Sequence, residues 1–315
     1  MIKIEGLTKC YNKFKALDDI SLHINEGEIF GFIGPNGAGK STTIKVLTGL
    51  LKPTEGKASI DGIDCTNGAK ELRYKVGYMP DNFGVYAGLK VWEYLDFFCA
   101  AYKIPKRERS DTIERVLDVT SSHRIKDFFM DALSKGMKQK AGLAKTLLHD
   151  PDVVILDEPS SGLDPRARIE MRELIKKLKD SGKTMMISSH ILSELSEISD
   201  QIGIIEKGVL LASGSVDEVM QDFKQDLCYE IEVLADVKKA LKVISAIKTK
   251  GLIEHYERVG EMFTVKVTSG EESDAARILN MLIKNSISIK NFRRVEVDLE
   301  EVFLTVTNQH GNEDE

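Results

Sequence analysis

The eight residues Gly34-Pro35-Asn36-Gly37-Ala38-Gly39-Lys40-Ser41 match G-x-x-x-x-G-K-[ST] between a run that reads as a strand and one that reads as a helix. The chemistry on offer is phosphate capture. The glycines let successive backbone N–H groups turn in on an anion, Lys40 carries a mobile positive charge to the β- and γ-phosphates, and the helix starting near Ser41 adds its positive dipole end. The Ser41 hydroxyl would hold Mg²⁺, and Thr42 would extend the nucleotide-binding stretch. Two carboxylates, Asp157 and Glu158, close the apolar run Val153-Val154-Ile155-Leu156, at the edge where α/β sheets bind ligands. Asp157 would enter the Mg²⁺ shell, and Glu158 would polarise the water that attacks the γ-phosphate. An acidic strand end that merely caps the next helix is the alternative, made minor by the phosphate-binding run upstream.

Those groups need a sheet to level them. From residue 1 to about 220, short β-branched or apolar runs alternate with helical patterns, the signature of an α/β fold. Strands are predicted at 22–26, 28–33, 57–63, 76–79, 153–156, 184–188 and 202–205, and helices at 41–50 and 166–179. Turn signals at 53–56 and at Asp61-Gly62 separate them. The four- and five-residue apolar runs suit strands covered on both faces. Between about 89 and 149, apolar residues recur at helical spacing (Val91, Tyr94, Leu95, Phe98; Ile113, Val116, Leu117), which predicts a helical subdomain inserted in the core. Past about 225, half-exposed strands (228–233, 253–259, 262–267, 288–295) and amphipathic helices (237–248, 273–284) follow in the order β-α-β-β-α-β, that of a ferredoxin-like layer. A polar tail, 309–315, ends the chain.

Composition narrows the partners. The chain has 315 residues, and 44 Lys+Arg against 50 Asp+Glu leave a net charge of −6, so no cationic excess serves a nucleic-acid backbone or an anionic membrane surface. No run approaches the roughly 18 apolar residues of a membrane span. Cys10, Cys65, Cys99 and Cys228 lack metal-ligand spacing and read as reduced, mostly buried thiols. The opening residues Met1-Ile2-Lys3-Ile4-Glu5-Gly6 carry acid and glycine where a signal peptide needs a continuous apolar stretch. No internal repeat is present, so a tandem two-cassette protein is not expected.

Further separated elements fall in a telling order. Leu133-Ser134-Lys135-Gly136-Met137 precedes a helix about 20 residues ahead of Asp157; Ser161-Gly162-Leu163-Asp164 follows Glu158; Ile187-Ser188-Ser189-His190 ends a strand; and Tyr11 lies upstream. Together with the glycine run, they resemble the nucleotide-binding subunit of an ABC transporter over roughly residues 1–220. The resemblance implies an α/β P-loop NTPase cassette (1–220) with the helical subdomain at about 89–149, and a small α+β accessory domain at 226–308. It implies ATP and Mg²⁺ as ligands, Lys40, Glu158 and His190 as the catalytic set, and Ser41, Asp157 and Asp81 around the metal. Tyr11 would stack on adenine. Ser134, Lys135, Gly136 and Met137 would cap ATP held by another subunit, in a homodimer or a dimer with a related cassette, with the D-loop residues Ser161, Gly162, Leu163 and Asp164 alongside. His190 would sense the γ-phosphate.

Two departures stand out. The signature reads LSKGM where the family has LSGGQ, a form that resembles subunits pairing with ABC-2 type permeases. Asp81 stands where many relatives have Gln, which removes a donor. The segment 299–304 (LEEVFL) resembles part of the extension on such subunits. The resemblance thus implies an ATPase energising a separately encoded permease, more as exporter than importer, with the chain peripheral on the cytoplasmic membrane face. Phe83, Val85 and Tyr86 offer an apolar contact for a coupling helix of the permease; packing of the insert onto the core is an equal alternative. A soluble ABC-type ATPase acting on nucleic acid or ribosomes is the runner-up, disfavoured by the acidic balance and by the lack of a second cassette.

Overall fold

The computed structural model describes residues 1–223, 228–268 and 272–295. Two compact units separate at Val216/Asp217.

In the first unit, β1 (Ile2–Tyr11) and β2 (Phe14–Ile24) pair antiparallel around a turn where Asn12 takes a left-handed conformation. The chain then crosses to a second sheet as β3 (Ile29–Ile33), runs through the glycine loop and enters α1 (Lys40–Leu47). It returns to the first sheet as β4 (Glu55–Ile60) and β5 (Ile63–Asp64), completing the order β2-β1-β4-β5. After α2 (Ala69–Lys75) and β6 (Val76–Met79) come the inserted helices α3 (Val91–Ala101), α4 (Lys106–Val119) and α5 (Lys135–Thr146). Then follow β7 (Val153–Asp157), α6 (Pro165–Asp180), β8 (Thr184–Ser189), α7 (Leu192–Ser196), β9 (Gln201–Glu206) and β10 (Val209–Ser215), after which α8 (Val216–Phe223) starts at the boundary and falls almost wholly in the second unit.

The second sheet has the order β10-β9-β3-β8-β7-β6, parallel except for β10. Every residue of β3, β7 and β8 is buried, as expected of strands covered on both faces. Ile2, Ile4, Leu7 and Ile20 of the antiparallel sheet share one core with Phe30, Phe32, Ile44, Ile155 and Met186. The parallel register pairs Ile33 with Ser189 and Asp157 with Ser188. The glycine loop, the carboxylate pair and the histidine therefore all leave the sheet at one edge and one level. In the insert, Tyr94, Leu95, Val116, Leu117 and Leu143 are fully buried, so the helical spacing is that of a packed core.

Local chemistry moved several boundaries. The helix expected at 41–50 stops at Leu47, because Gly49 turns left-handed (φ +69°) and the N–H groups of Leu50 and Leu51 fold back to the Lys45 carbonyl. The strand expected at 57–63 breaks at Asp61-Gly62, both with positive φ, as a two-residue hairpin turn. β1 escaped prediction because its alternation is interrupted by register shifts near Gly6, and α2 because it buries Leu72 alone.

In the second unit, β11 (Cys228–Val233), α9 (Val237–Thr249), β12 (Ile253–Val259), β13 (Met262–Val267), α10 (Glu272–Lys284) and β14 (Ile289–Arg294) give the expected β-α-β-β-α-β order. The sheet order is β12-β13-β11-β14, antiparallel throughout, which is the ferredoxin-like arrangement. Tyr229, Ile231, Phe263 and Val265 pack against Ile244, Ile278 and Leu282 of its helices. Residues 299–304 and the tail 309–315 lie outside the described residues.

Candidate nucleotide site

Gly34 follows β3 where a Cβ would run into the Ile205 carbonyl, so only glycine fits. Gly39, at φ +116°, is also tight: its Cβ would lie 2.9 Å from the Ala16 carbonyl. Gly37 differs, with φ +86° and nothing within 4 Å of a would-be Cβ, so the loop is open on that side. Gly39 caps α1 without a side chain and no acid occupies the first turn, which leaves the helix's first N–H groups for an anion.

Lys40 is 5% exposed. Its ammonium arches over the loop, donating to the carbonyls of Gly34 (2.6 Å) and Pro35 (3.1 Å), and lies 3.3 Å from Glu158 Oε1. A charge this buried needs such partners. Ser41 is exposed and Thr42 half-buried beside it.

Glu158 occupies the left-handed region (φ +51°), a conformation that costs a non-glycine residue of order 1–3 kcal/mol and persists where the surroundings enforce it. Here Ser188 enforces it. Its hydroxyl donates to Asp157 Oδ1 (2.6 Å) and accepts the Glu158 N–H (3.0 Å), and the Ser188 carbonyl accepts the same N–H at 3.2 Å. One hydroxyl thus fixes both carboxylate residues. The Glu158 carboxylate reaches His190 through Oε2, 2.7 Å from Nδ1, while Oε1 is buried and accepts no hydrogen bond among the described residues. Sequence reading quoted Ser188 as part of a strand end but gave it no role; its signal was the parallel pairing with Asp157.

Burial, then the neighbouring Asp157 and Glu158 carboxylates, push the Asp81 carboxyl above its ordinary range. The strand ends thus form a negative field. Among the described residues no cluster of three His, Cys, Asp or Glu side chains could hold a metal alone. Mg²⁺ needs none, since it takes one or two carboxylates plus substrate phosphates and water. Asp157, 3% exposed, and the Ser41 hydroxyl fit that donor set.

Tyr11 is 46% exposed, with the Lys9 ammonium 5.2 Å from its ring centroid. Its strand partner Phe14 is more exposed still, a second aromatic that sequence reading missed although it flanks the same hairpin turn.

The remaining motif residues form a second cluster. Ser134 caps α5 and accepts from the Met137 N–H at 3.4 Å, while Asp164 caps α6 and accepts from the Ala167 N–H at 3.0 Å. The Lys135 side chain lies against Gly162, and a Cβ on Gly136 would stand 3.1 Å from Ala167 Cβ. Ser161 donates its N–H to the Glu158 carbonyl, and Leu163 is buried. Among the described residues no hydrogen bond or ion pair ties Ser134, Gly136 or Met137 to Lys40, Glu158 and His190.

A phosphate loop, a carboxylate pair and a histidine at the level ends of parallel strands define a P-loop NTPase. Residues 17–161 match the family model "ABC transporter", and residues 214–307 match "ATP-binding protein DrrA1-3-like, C-terminal domain". The chain belongs to the ATP-binding proteins of ABC transporters. It is 35% identical to the ABC transporter ATP-binding protein YcbN of Bacillus subtilis over 98% of this chain and 97% of that one. It is 33% identical to the bacitracin transport ATP-binding protein BcrA of Bacillus licheniformis over 96% of each. Other curated relatives are longer: the chain spans 64% of the Synechocystis protein sll0415 (39% identical over 73% of this chain) and 39% of YbhF from Escherichia coli. Among solved structures, the dimeric bacterial ABC transporter cassette MJ0796, and its dimeric post-hydrolysis state with ADP and Pi, are each 27% identical with a TM-score of 0.63, covering 69% of this chain and 99% of that one. Among the described residues no helix is long and apolar enough to cross a membrane.

Proposed function

We propose that this chain binds and hydrolyses ATP with Mg²⁺ to drive a separately encoded permease of the ABC-2 exporter type. The observation that carries the reading is the Glu158 carboxylate, held between Lys40 and His190 at the strand ends with a buried Oε1 that makes no hydrogen bond among the described residues. In this reading Lys40 and the loop N–H groups hold the phosphates, Asp157 and Ser41 the metal, Glu158 the attacking water, and His190 reports the γ-phosphate. Tyr11 stacks on the adenine, and Asp81 reaches the metal or its water.

Ser134 and the N-terminus of α5 stand apart from the Lys40 cluster, which supports capping of ATP across a dimer, with itself or with a related cassette. The Ser161–Asp164 turn, starting at Glu158 and ending against Lys135, would link the two sites. The DrrA-like match and the similarity to BcrA support an ABC-2 partner and export. Membrane attachment at the cytoplasmic face would run through that partner, near Asp81–Leu89, where Phe83 packs on α5 and Tyr86 stays exposed. Residues 1–220 would be the motor and 226–308 an accessory domain, regulatory or dimer-stabilising.

The test is ATP hydrolysis in proteoliposomes holding this chain with a polytopic protein from a neighbouring reading frame that co-purifies with it. Magnesium-dependent turnover that rises on assembly is expected; GTP strongly preferred over ATP, or co-purification with ribosomes and no membrane protein, would overturn the reading.

A further inference from the structure

β8 carries, near its end, a buried hydroxyl that its packing does not require. Met185, Met186 and Ile187 are buried and apolar, and Ser188 after them is fully buried as well. A hydroxyl withdrawn from water costs free energy unless it finds partners. The Ser199 hydroxyl, also buried, makes no hydrogen bond among the described residues, whereas the Ser188 hydroxyl donates to one carboxylate residue of the site and accepts from the other.

The two bonds differ in what depends on them. The bond to Oδ1 is the only hydrogen bond of the Asp157 carboxylate among the described residues. The Glu158 N–H has a second acceptor in the Ser188 carbonyl, so loss of the hydroxyl would slacken the Glu158 backbone without orphaning it. On the far side of that residue the Glu158 carbonyl accepts from the Ser161 N–H at 3.1 Å. The left-handed backbone is thus tied at both ends while its side chain lies between Lys40 and His190.

The neighbouring Ser189 has separate contacts. Its carbonyl accepts the Gly34 N–H at 3.3 Å, and its hydroxyl accepts the Ile191 N–H at 3.0 Å, so the start of the glycine loop and the turn after His190 are both tied to Ser189. The Ser188 hydroxyl bonds to neither. The hold on the carboxylates and the hold on the phosphate loop therefore come from different residues, and mutation can separate them.

We propose that Ser188 is a positioning residue for ATP hydrolysis: its hydroxyl, acting through Glu158, sets the rate of turnover without contributing to ATP binding. This rests on the reading of Glu158 as the group that orients the attacking water, and adds to it the residue that aims Glu158. A displacement of about 1 Å at a reacting centre can cost about a hundredfold in rate. Lys40 and the glycine loop, held by other contacts, would keep the phosphates in place.

The test measures ATP turnover by the full chain in proteoliposomes with its co-purifying membrane protein, and the ATP affinity of the full chain alone by titration calorimetry. Ser188→Ala should lower kcat by about tenfold to a hundredfold with KM and ATP affinity unchanged. Ser188→Thr and Ser188→Val put nearly the same bulk at the site and differ in the hydroxyl, so turnover should return in the first and stay low in the second. In a double-mutant cycle, Ser188→Ala should add nothing to the loss caused by Glu158→Gln. Thermal unfolding checks the fold of each variant, and Ser188→Ala, which adds no bulk, carries the test where a branched variant unfolds. Wild-type kcat in Ser188→Ala, a valine variant as active as the threonine variant, or losses that add in the cycle would overturn the inference while leaving the Glu158 reading intact. Glu158→Gln turning over ATP as fast as wild type would sink that reading, and the inference with it.

Discussion

His190 Nδ1 lies 2.7 Å from Glu158 Oε2, and the opposite oxygen of that carboxylate faces the Lys40 ammonium at 3.3 Å. Each partner arrives from a different strand end: Lys40 after β3, Glu158 after β7, His190 after β8. The parallel register makes a contact between residues 118 and 32 positions apart in sequence a consequence of sheet order.

Lys40→Ala removes the cation that bonds the Gly34 and Pro35 carbonyls and faces Glu158. Each charge-assisted hydrogen bond to phosphate is worth about 1.5–3 kcal/mol. ATP affinity in titration calorimetry should fall by about tenfold to a hundredfold or more, and an unchanged affinity would count against the phosphate loop.

Gly34→Ala and Gly37→Ala separate steric fit from backbone freedom. At Gly34 the new methyl meets the Ile205 carbonyl, an overpacking cost of about 1–3 kcal/mol together with displacement of the loop. At Gly37 the space is open and only the left-handed backbone is penalised, by about 1–2 kcal/mol. Gly34→Ala should therefore lose the more thermal stability and most of its ATP binding; the reverse order would contradict the loop geometry.

His149 gives the stability an acid limb. Burial lowers its pKa from 6.5 to about 4, with the ring stacked on Tyr102 at 4.0 Å and Nε2 against the Val76 carbonyl. Between those values the unfolded chain takes up a proton that the folded chain refuses, so stability rises with pH across the window and is lost as pH falls. His149→Phe keeps the stack and removes the proton. Denaturant titrations from pH 7 to 4 should show a shallower loss than wild type, and an identical slope would remove His149 as the cause.

Much of this was legible in sequence because phosphate chemistry confines residue types locally. The glycine loop, Asp157-Glu158 and His190 each sit within a few residues of a strand end, and short apolar runs mark buried parallel strands. The β-α-β-β-α-β order of the second unit was equally readable, since its strands alternate cleanly around Tyr229, Ile231 and Val233. What the sequence concealed depends on tertiary neighbours. Ser188 gains its role only because β8 pairs with β7, and Glu158's left-handed backbone has no signature in its residue type. Gly49 ended α1 early through one dihedral. The fate of Phe83 and Tyr86 was undecidable at the residue level: Phe83 turned inward onto Gly142, while Tyr86, three residues on, stayed at the surface.

Burial decides the thiols. No disulfide joins the four cysteines, and burial pushes the Cys65 and Cys99 thiols up to about 12 and about 11, which makes both inert near neutral pH.

Completion of the ATP site by a second subunit is tested most directly by light scattering of Glu158→Gln with ATP and Mg²⁺. The substitution keeps the phosphate loop, Lys40 and Asp157 while removing the carboxylate proposed to position water. Bound ATP should then persist, and the chain should run as a stable dimer with ATP and as a monomer without it. A Glu158→Gln chain that binds ATP with wild-type affinity yet remains monomeric would contradict capping by Ser134 of a partner.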